Sequence, residues 1–402
     1  MTTTTPGPWL RLVALVAAGG TLLAVVSGAA HLGTAHRLLA ALAGPPLVAL
    51  AVAAWTAHRR LLGPTLTAGI AFALAALLVP RDAHIAFAAV AFAATLVATA
   101  LTFRTQVTRR QLPAFGRRAV LDYVTLTKPR IMSLLLLTGF CGMVVGAQGW
   151  PGTGAVVATM AGLALACGGA SALNHVLDAD IDRLMGKRTE KRPVAAGRVP
   201  PTRALEFGLA LSALSFVLLA SAVNVLTAAL ALAGNLFYVV VYTRWLKRST
   251  PQNIVIGGAA GAVPPLVGWA AATGNLTLPA LLLFAIVFVW TPPHFWALAL
   301  LIKENYAAAR VPMLPVVRGE RETTRQIVWY SLLMVGVSLL PFAFGTVGPF
   351  YLGAAVALGA VFVGMAVHLL VDTSRRRAAL LFHYSLLYLA LLFVAMALDF
   401  AV

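Results

Sequence analysis

Thirteen apolar runs punctuate the chain, at residues 10–29, 37–56, 63–80, 84–103, 131–148, 153–176, 204–222, 224–243, 254–272, 278–302, 327–345, 350–371 and 379–398. Each can carry a helix across a ~30 Å hydrocarbon core, which takes roughly 20 residues. Lipid offers no hydrogen bonds to a bare backbone, so such a run becomes a helix that satisfies its own amides. The expected fold is an all-α polytopic membrane protein with about 13 spans. Only 10% of the residues are charged and 60% are hydrophobic, against about 25% charged in a soluble domain, which excludes a water-covered globule. Cys141 and Cys167 both lie inside apolar runs, so no disulfide framework organises the chain.

The net charge of +18 would suit a nucleic-acid partner if it covered one face of a soluble domain. Placed on the spans, it reads as topology. All 30 Lys and Arg residues except Arg37 and Arg81 fall at the amino terminus or in loops after even-numbered spans. Basic loops stay cytoplasmic because translocating them is disfavoured. The expectation is a multi-pass cell-membrane protein, amino terminus and basic loops cytoplasmic, carboxyl terminus outside, with no nucleic-acid partner. The first run has little positive charge ahead of it and reads as a retained helix, not a secretory signal. Residues 104–130 are polar, basic and carry Pro113 and Pro129. They separate a four-span module (1–103) from a nine-span domain (131–402), as a basic cytoplasmic linker with an interfacial helix near 114–127.

Carboxylates are scarce, with 12 in the whole chain, yet Asp178, Asp180 and Asp182 stand together at the end of the sixth run. Residues four apart share a helical face, so Asn174, Asp178 and Asp182 form one stripe and Asp180 points elsewhere. An all-oxygen stripe suits Mg2+, which is commonly shared with substrate phosphates. The alternative is that the acids only solvate a helix end, against which their mutual repulsion counts. Directly downstream comes Lys187-Arg188-Thr189-Glu190-Lys191-Arg192-Pro193. Arg188 and Arg192 can grip phosphate oxygens bidentately. Lys187 and Lys191 either join them or belong to an ordinary basic loop. Acids, then basic groups, then a membrane interior together suggest a diphosphate held through metal, with its apolar tail in the bilayer.

The stripe with Arg188-Thr189 and Arg192-Pro193 resembles the first aspartate motif (N-x-x-x-D-x-x-x-D) of the intramembrane aromatic prenyltransferases. Thr250-Pro251-Gln252-Asn253-Ile254-Val255-Ile256-Gly257-Gly258, Pro264-Pro265, Gly268-Trp269, Thr291-Pro292-Pro293-His294-Phe295-Trp296-Ala297-Leu298 and Pro312-Met313-Leu314-Pro315-Val316-Val317 follow in order. This series is similar to the protohaem IX farnesyltransferases, or haem O synthases, over residues of about 115 to 400. The resemblance implies a nine-helix bundle around a central cavity, with two acid-bearing cytoplasmic loops. It also implies farnesyl transfer from farnesyl diphosphate to the 2-vinyl group of haem B, giving haem O for the haem A of terminal oxidases. Asn174, Asp178 and Asp182 would hold Mg2+, and Arg188 and Arg192, with Lys187 and Lys191, the diphosphate. The second loop reads Lys303-Glu304-Asn305-Tyr306, where Glu304 keeps one metal-binding carboxylate and Asn305 replaces the usual second. The proline pair is expected to break the tenth span, and the resemblance makes His294 necessary on the haem side, against the alternative of a hydrogen-bonded structural His. Gln252 and Asn253 support the site or cap a helix, with capping favoured. His175 faces away from the stripe, and His368 and His383 are read as structural.

The four front spans fall outside this pattern. His36 and His84 open the second and fourth spans at equal depth on alternate helices, where two imidazoles could ligate one haem iron. The unit resembles one half of haem A synthase, implying a haem-holding module, a docking surface for haem A synthase, or a remnant. Two other functions share some of these features. A prenyltransferase of quinone or chlorophyll precursors would share the first motif without needing Thr-Pro-Pro-His-Phe-Trp. A transport or haem-handling protein would use the acids as a path, but transport sites sit near the bilayer midplane and these acids sit at a helix end.

Overall fold

The computed structural model describes residues 8–29, 34–56, 61–77, 81–102 and 116–400, and among them every regular element is helical. The front of the chain forms α1 (Pro8–Ala29), α2 (Thr34–Thr56), α3 (Leu62–Leu77) and α4 (Arg81–Thr102). A short helix, α5 (Arg117–Leu126), leads into α6 (Pro129–Ala147) and α7 (Thr153–Leu177). Two more short helices, α8 (Ala179–Leu184) and α9 (Lys187–Glu190), connect to α10 (Pro201–Ala222). The next span begins as α11 (Val225–Leu236), continues as a π-helical stretch (Phe237–Leu246) and closes as α12 (Lys247–Ser249). The chain ends with α13 (Asn253–Thr273), α14 (Leu278–Leu301), α15 (Lys303–Ala308), α16 (Leu314–Val317), α17 (Gly319–Ala343), α18 (Pro349–Val371) and α19 (Arg375–Leu398).

Ten described helices are long and apolar enough to cross a membrane: one at the front and nine after residue 129. The nine match the nine runs expected there. In the front module, α3 has 16 residues, and the described side chains of α2 and α4 give the shorter apolar stretches Leu42–Ala54 and Val90–Thr99. The described residues thus give ten such helices against the thirteen runs read from the sequence. The module packs on the flank of the main bundle. Phe92 of α4 meets Phe216 of α10 at 6.4 Å between ring centroids, and Val25 and Ala93 join Leu163 and Ala213 in the same cluster.

Because lipid tails are as apolar as leucine, helices in a membrane gain most where small residues let their backbones touch. That is how α6 meets α13 and α7 meets α10. A Cβ built on Gly268 would lie 1.9 Å from the Gly139 carbonyl oxygen, and one on Gly142 would lie 2.6 Å from the Pro265 oxygen. Gly169 and Gly208 approach each other likewise, each Cβ falling 2.8 to 3.0 Å from the partner's carbonyl. Helix α14 runs at the centre, against α13, α17 and α19, and Trp290 donates its indole N–H to the Ser385 carbonyl of α19 at 2.8 Å.

The proline pair does not break this helix. Helix α14 continues through Pro292 and Pro293, as α13 does through Pro264 and Pro265. Both pairs are buried, and a helix packed on all sides can keep its course despite lost amide donors. Fixed backbone contact makes a specific demand on α6. Gly142→Ala must displace backbone and should destabilise by about 1–3 kcal/mol, whereas a Cβ at Gly154 meets nothing within 4 Å. Thermal unfolding in detergent should give a lower midpoint for Gly142→Ala and none for Gly154→Ala.

Candidate active site

Helix α7 ends at Asp178, whose backbone N–H still bonds the Asn174 carbonyl at 2.8 Å, and the Asp182 N–H bonds the Asp178 carbonyl at 2.8 Å. The helical repeat therefore continues into α8 and keeps the stripe intact. Asn174, Asp178 and Asp182 are 3%, 1% and 1% exposed. Asp180 faces outward as expected and pairs with Arg248 at 2.7 Å. The Arg248 hydrogen bonds hold its carboxyl down at about 2.

Buried carboxylates need cations, since an unpaired ion in a low-dielectric interior is strongly disfavoured. The structure supplies three. Lys247, at the end of the π-helical stretch, reaches Asp178 Oδ2 at 2.5 Å. Arg192 donates to Asp182 Oδ1 at 2.6 Å. Lys128, held in a left-handed conformation at φ 51° ahead of Pro129, donates to Asn174 Oδ1 at 2.8 Å. Burial, with the nearby Arg192 guanidinium, pulls the Lys128 ammonium down to about 7. Burial pushes the Asp182 carboxyl up, against the pull of Arg192.

The Asn174 amide donates to Asp178 Oδ2 at 2.9 Å and to Thr243 Oγ1 at 3.1 Å. Its oxygen accepts from Lys128, so in this arrangement Asn174 orients Asp178. Thr243 is held in turn by donating to the Tyr238 carbonyl five residues back at 2.8 Å, a spacing that the π-helical winding brings into register. Asp178 Oδ1 and Asp182 Oδ2 remain buried with no hydrogen-bond partner among the described residues. Orphaned carboxylate oxygens fit a hard cation. No three His, Cys, Asp or Glu side chains among the described residues converge to hold a metal by themselves, so such a cation would need further oxygens from a ligand.

The basic segment divides in two. Arg192 turns inward, while Lys187 and Lys191 are exposed and line a separate cleft of about 540 Å³ with Arg183, Glu190 and Arg198. The Arg188 side chain lies outside the described residues. In the second loop Glu304, the expected metal ligand, is exposed, and Lys303 pairs with Glu320 at 3.1 Å. Asn305 is the residue that meets the first loop, donating to the Met185 carbonyl. It fits against Gly186, whose φ of +97° and missing Cβ admit the Asn305 amide. Tyr306 is buried, and burial pushes its hydroxyl up to about 12.

Asn253 is no helix cap. Gln252 occupies that position without a side-chain bond, and Asn253 is fully buried with both amide atoms unpartnered among the described residues. His175 is likewise buried, with neither ring nitrogen partnered among the described residues. His383 is bonded at Nδ1 to the Ala379 carbonyl.

His294 stacks between Trp290 and Phe382, with centroids 4.4 and 4.8 Å away. Ser385 Oγ donates its one proton to the Phe382 carbonyl at 2.6 Å, so it must accept from His294 Nδ1, 2.6 Å away. That fixes the tautomer and leaves the lone pair on Nε2. In the front module, His36 Nδ1 lies 2.9 Å from the Ala24 carbonyl, which sets the same tautomer; the His84 side chain lies outside the described residues.

Lys128, Thr243 and Lys247 are the functional groups that reading the sequence missed. The two lysines border apolar runs and merged into the general basic bias of one face. The Lys247–Asp178 pair yields a test. Lys247→Met should destabilise by about 3–5 kcal/mol because it strands a buried charge. Lys247→Met with Asp178→Asn should recover much of that loss in thermal unfolding, and equal midpoints for the single and double variants would refute the pairing.

Residues 135–396 match the UbiA prenyltransferase family. The protoheme IX farnesyltransferase of Symbiobacterium thermophilum is 56% identical over 284 residues, covering 70% of this chain and 95% of that protein. That of Roseiflexus sp. is 44% identical over 420 residues, covering 94% and 77%, a span that takes in most of the front helices. That of Thermus thermophilus is 53% identical over 281 residues, where this chain spans 46% of the relative's length. Among solved structures, digeranylgeranylglyceryl phosphate synthase shares the fold with a TM-score of 0.60 at 18% identity, covering 70% of this chain and 99% of that one. A UbiA homolog from Archaeoglobus fulgidus bound to GPP and Mg2+ does so with a TM-score of 0.51 at 17% identity, covering 68% and 99%. With its nine-helix bundle and buried aspartate stripe, the chain belongs to the UbiA prenyltransferase family.

Proposed function

We propose that this chain transfers a farnesyl group from farnesyl diphosphate to the 2-vinyl group of haem B, releasing diphosphate and giving haem O. The observation that carries this reading is the buried charge balance. Lys247 and Arg192 each pair with one of the two carboxylates, Lys128 stands beside them on Asn174, and two carboxylate oxygens still lack partners among the described residues. A magnesium diphosphate fits this cluster: Asp178 and Asp182 would hold the metal, Lys128, Lys247 and Arg192 would hold the phosphate oxygens, and Arg188 of the motif would join them. The names of the relatives support haem as the acceptor.

Magnesium, when bound, would supply electrostatic stabilisation of the leaving diphosphate. The cations of the chain do the same work from fixed positions, which favours breaking the allylic C–O bond. The terminal vinyl carbon of haem then bonds to C1 of the farnesyl chain, and water adds to the resulting cation with loss of a proton. His294 serves the acceptor: its Nε2 lone pair suits the haem iron, and Trp290 and Phe382 hold its ring flat. An imidazole that donates its other N–H is the usual state of a metal-ligating His.

The basic loops support a cell-membrane orientation with the active-site loops and amino terminus cytoplasmic and the carboxyl terminus outside. In the front module, His36 and His84 would be the haem ligands, and the module would hold haem or meet a haem A synthase.

Expression in a strain lacking haem O synthase, with extracted haems analysed by mass, should restore haem O. An inserted protein that yields none refutes the assignment. Asp178→Ala should lower the yield about a hundredfold or more. For the front module, a His294→Ala chain purified under haem-replete conditions should keep a low-spin haem spectrum that His36→Ala or His84→Ala removes. A colourless starting protein would end that reading.

A further inference from the structure

The cleft beside α9 is separate from the buried stripe, since neither Asp178, Asp182, Lys247 nor Arg192 lines it. Arg183, Lys187, Lys191 and Arg198 surround it with one acid, Glu190. Two of these groups are fixed by the fold. Arg183 Nε donates to the Ala195 carbonyl at 3.1 Å, and Arg198 donates to the Lys191 carbonyl at 3.0 Å and pairs with Asp122 of α5 at 2.9 Å. Lys187 and Lys191 pair with no acid among the described residues.

The neighbouring helix shows what faces this cleft. Leu126 of α5 is buried against Ala172, Val194, Val199 and Ala204, and Tyr123 packs edge-on to Phe207. The opposite side of α5 leaves Val120, Leu121 and Val124 about half exposed, with Arg117 and Arg118 exposed at its start. A short helix with an outward apolar face and basic flanks, directly before a membrane span, lies in the lipid interface. Asp122 of that helix pairs with Arg198, which lines the cleft, so the four cations are tied to a helix at headgroup depth. We infer that this cleft holds the phosphate of an anionic phospholipid headgroup. The inference does not depend on the reaction proposed above, because it uses no group of the buried stripe.

Native mass spectrometry of the full chain in neutral detergent, with dioleoylphosphatidylglycerol or dioleoylphosphatidylcholine added, tests this. Phosphatidylglycerol should be retained preferentially. Lys187→Gln with Lys191→Gln should reduce its retention roughly tenfold, each single variant should reduce it part way, and Lys187→Arg with Lys191→Arg should keep it. Arg375→Gln with Arg376→Gln, in a basic loop elsewhere, should also keep it. Equal retention of the two lipids, retention unchanged in the glutamine variants, or equal loss in the distant variant overturns the proposal. Calorimetry with inorganic diphosphate separates the free-anion source: diphosphate binding that the glutamine variants abolish while phosphatidylglycerol stays bound overturns the lipid site.

Discussion

Two carboxylates buried at a helix end require countercharge, and the arrangement around them follows from that requirement. Asp178 draws Lys247 from the far end of the π-helical stretch, and Asp182 draws Arg192 from the loop after α9. Lys128, from the turn between α5 and α6, completes the ring by way of Asn174. The start of α6, the end of α7, α8, and the span after α10 are thus pinned to one another by polar contacts, in a bundle otherwise packed through apolar side chains and a few close backbone seams. In lipid such contacts carry register, because apolar side chains discriminate poorly between neighbouring protein and surrounding tails.

The polar ring and the small-residue seams are complementary. Gly139, Gly142 and Gly268 let α6 and α13 touch through backbone atoms, which fixes the depth of Lys128 at the start of α6. Gly169 and Gly208 do the same for α7 and α10, so the stripe on α7 cannot slide relative to the loop carrying Arg192. Farther along α14, His294 is set by a different device, a hydroxyl whose only proton is already committed. The aspartate cluster and His294 are therefore built on separate contacts.

Much of this was legible in the chain itself. The nine apolar runs after residue 131 each became a helix, since length and hydropathy leave a membrane segment no other way to satisfy its amides. The stripe of Asn174, Asp178 and Asp182, with Asp180 turned out, followed from a period of 3.6 residues and survived the change from α7 to α8. Expectations failed where burial on all sides decided the outcome. Pro292 and Pro293 suggested a break, but packing carried α14 through them. Asn253 suggested a cap, but its neighbours sealed it inside. In the second loop it was Asn305 that took the contact with the first loop.

The sequence by itself determined the class of fold, the place of the acids and the chemistry they invite, because hydropathy, helical period and charge are local properties. Tertiary structure alone decided which cations meet those acids, what Asn174 does, and which tautomer His294 adopts. These choices join residues 46, 69 and 91 positions apart, as in Lys128 with Asn174, Lys247 with Asp178, and His294 with Ser385. No local pattern encodes such pairings. They arise when close-packed helices fix relative depth and rotation, and when the low dielectric leaves each buried charge only the partners that packing brings within reach.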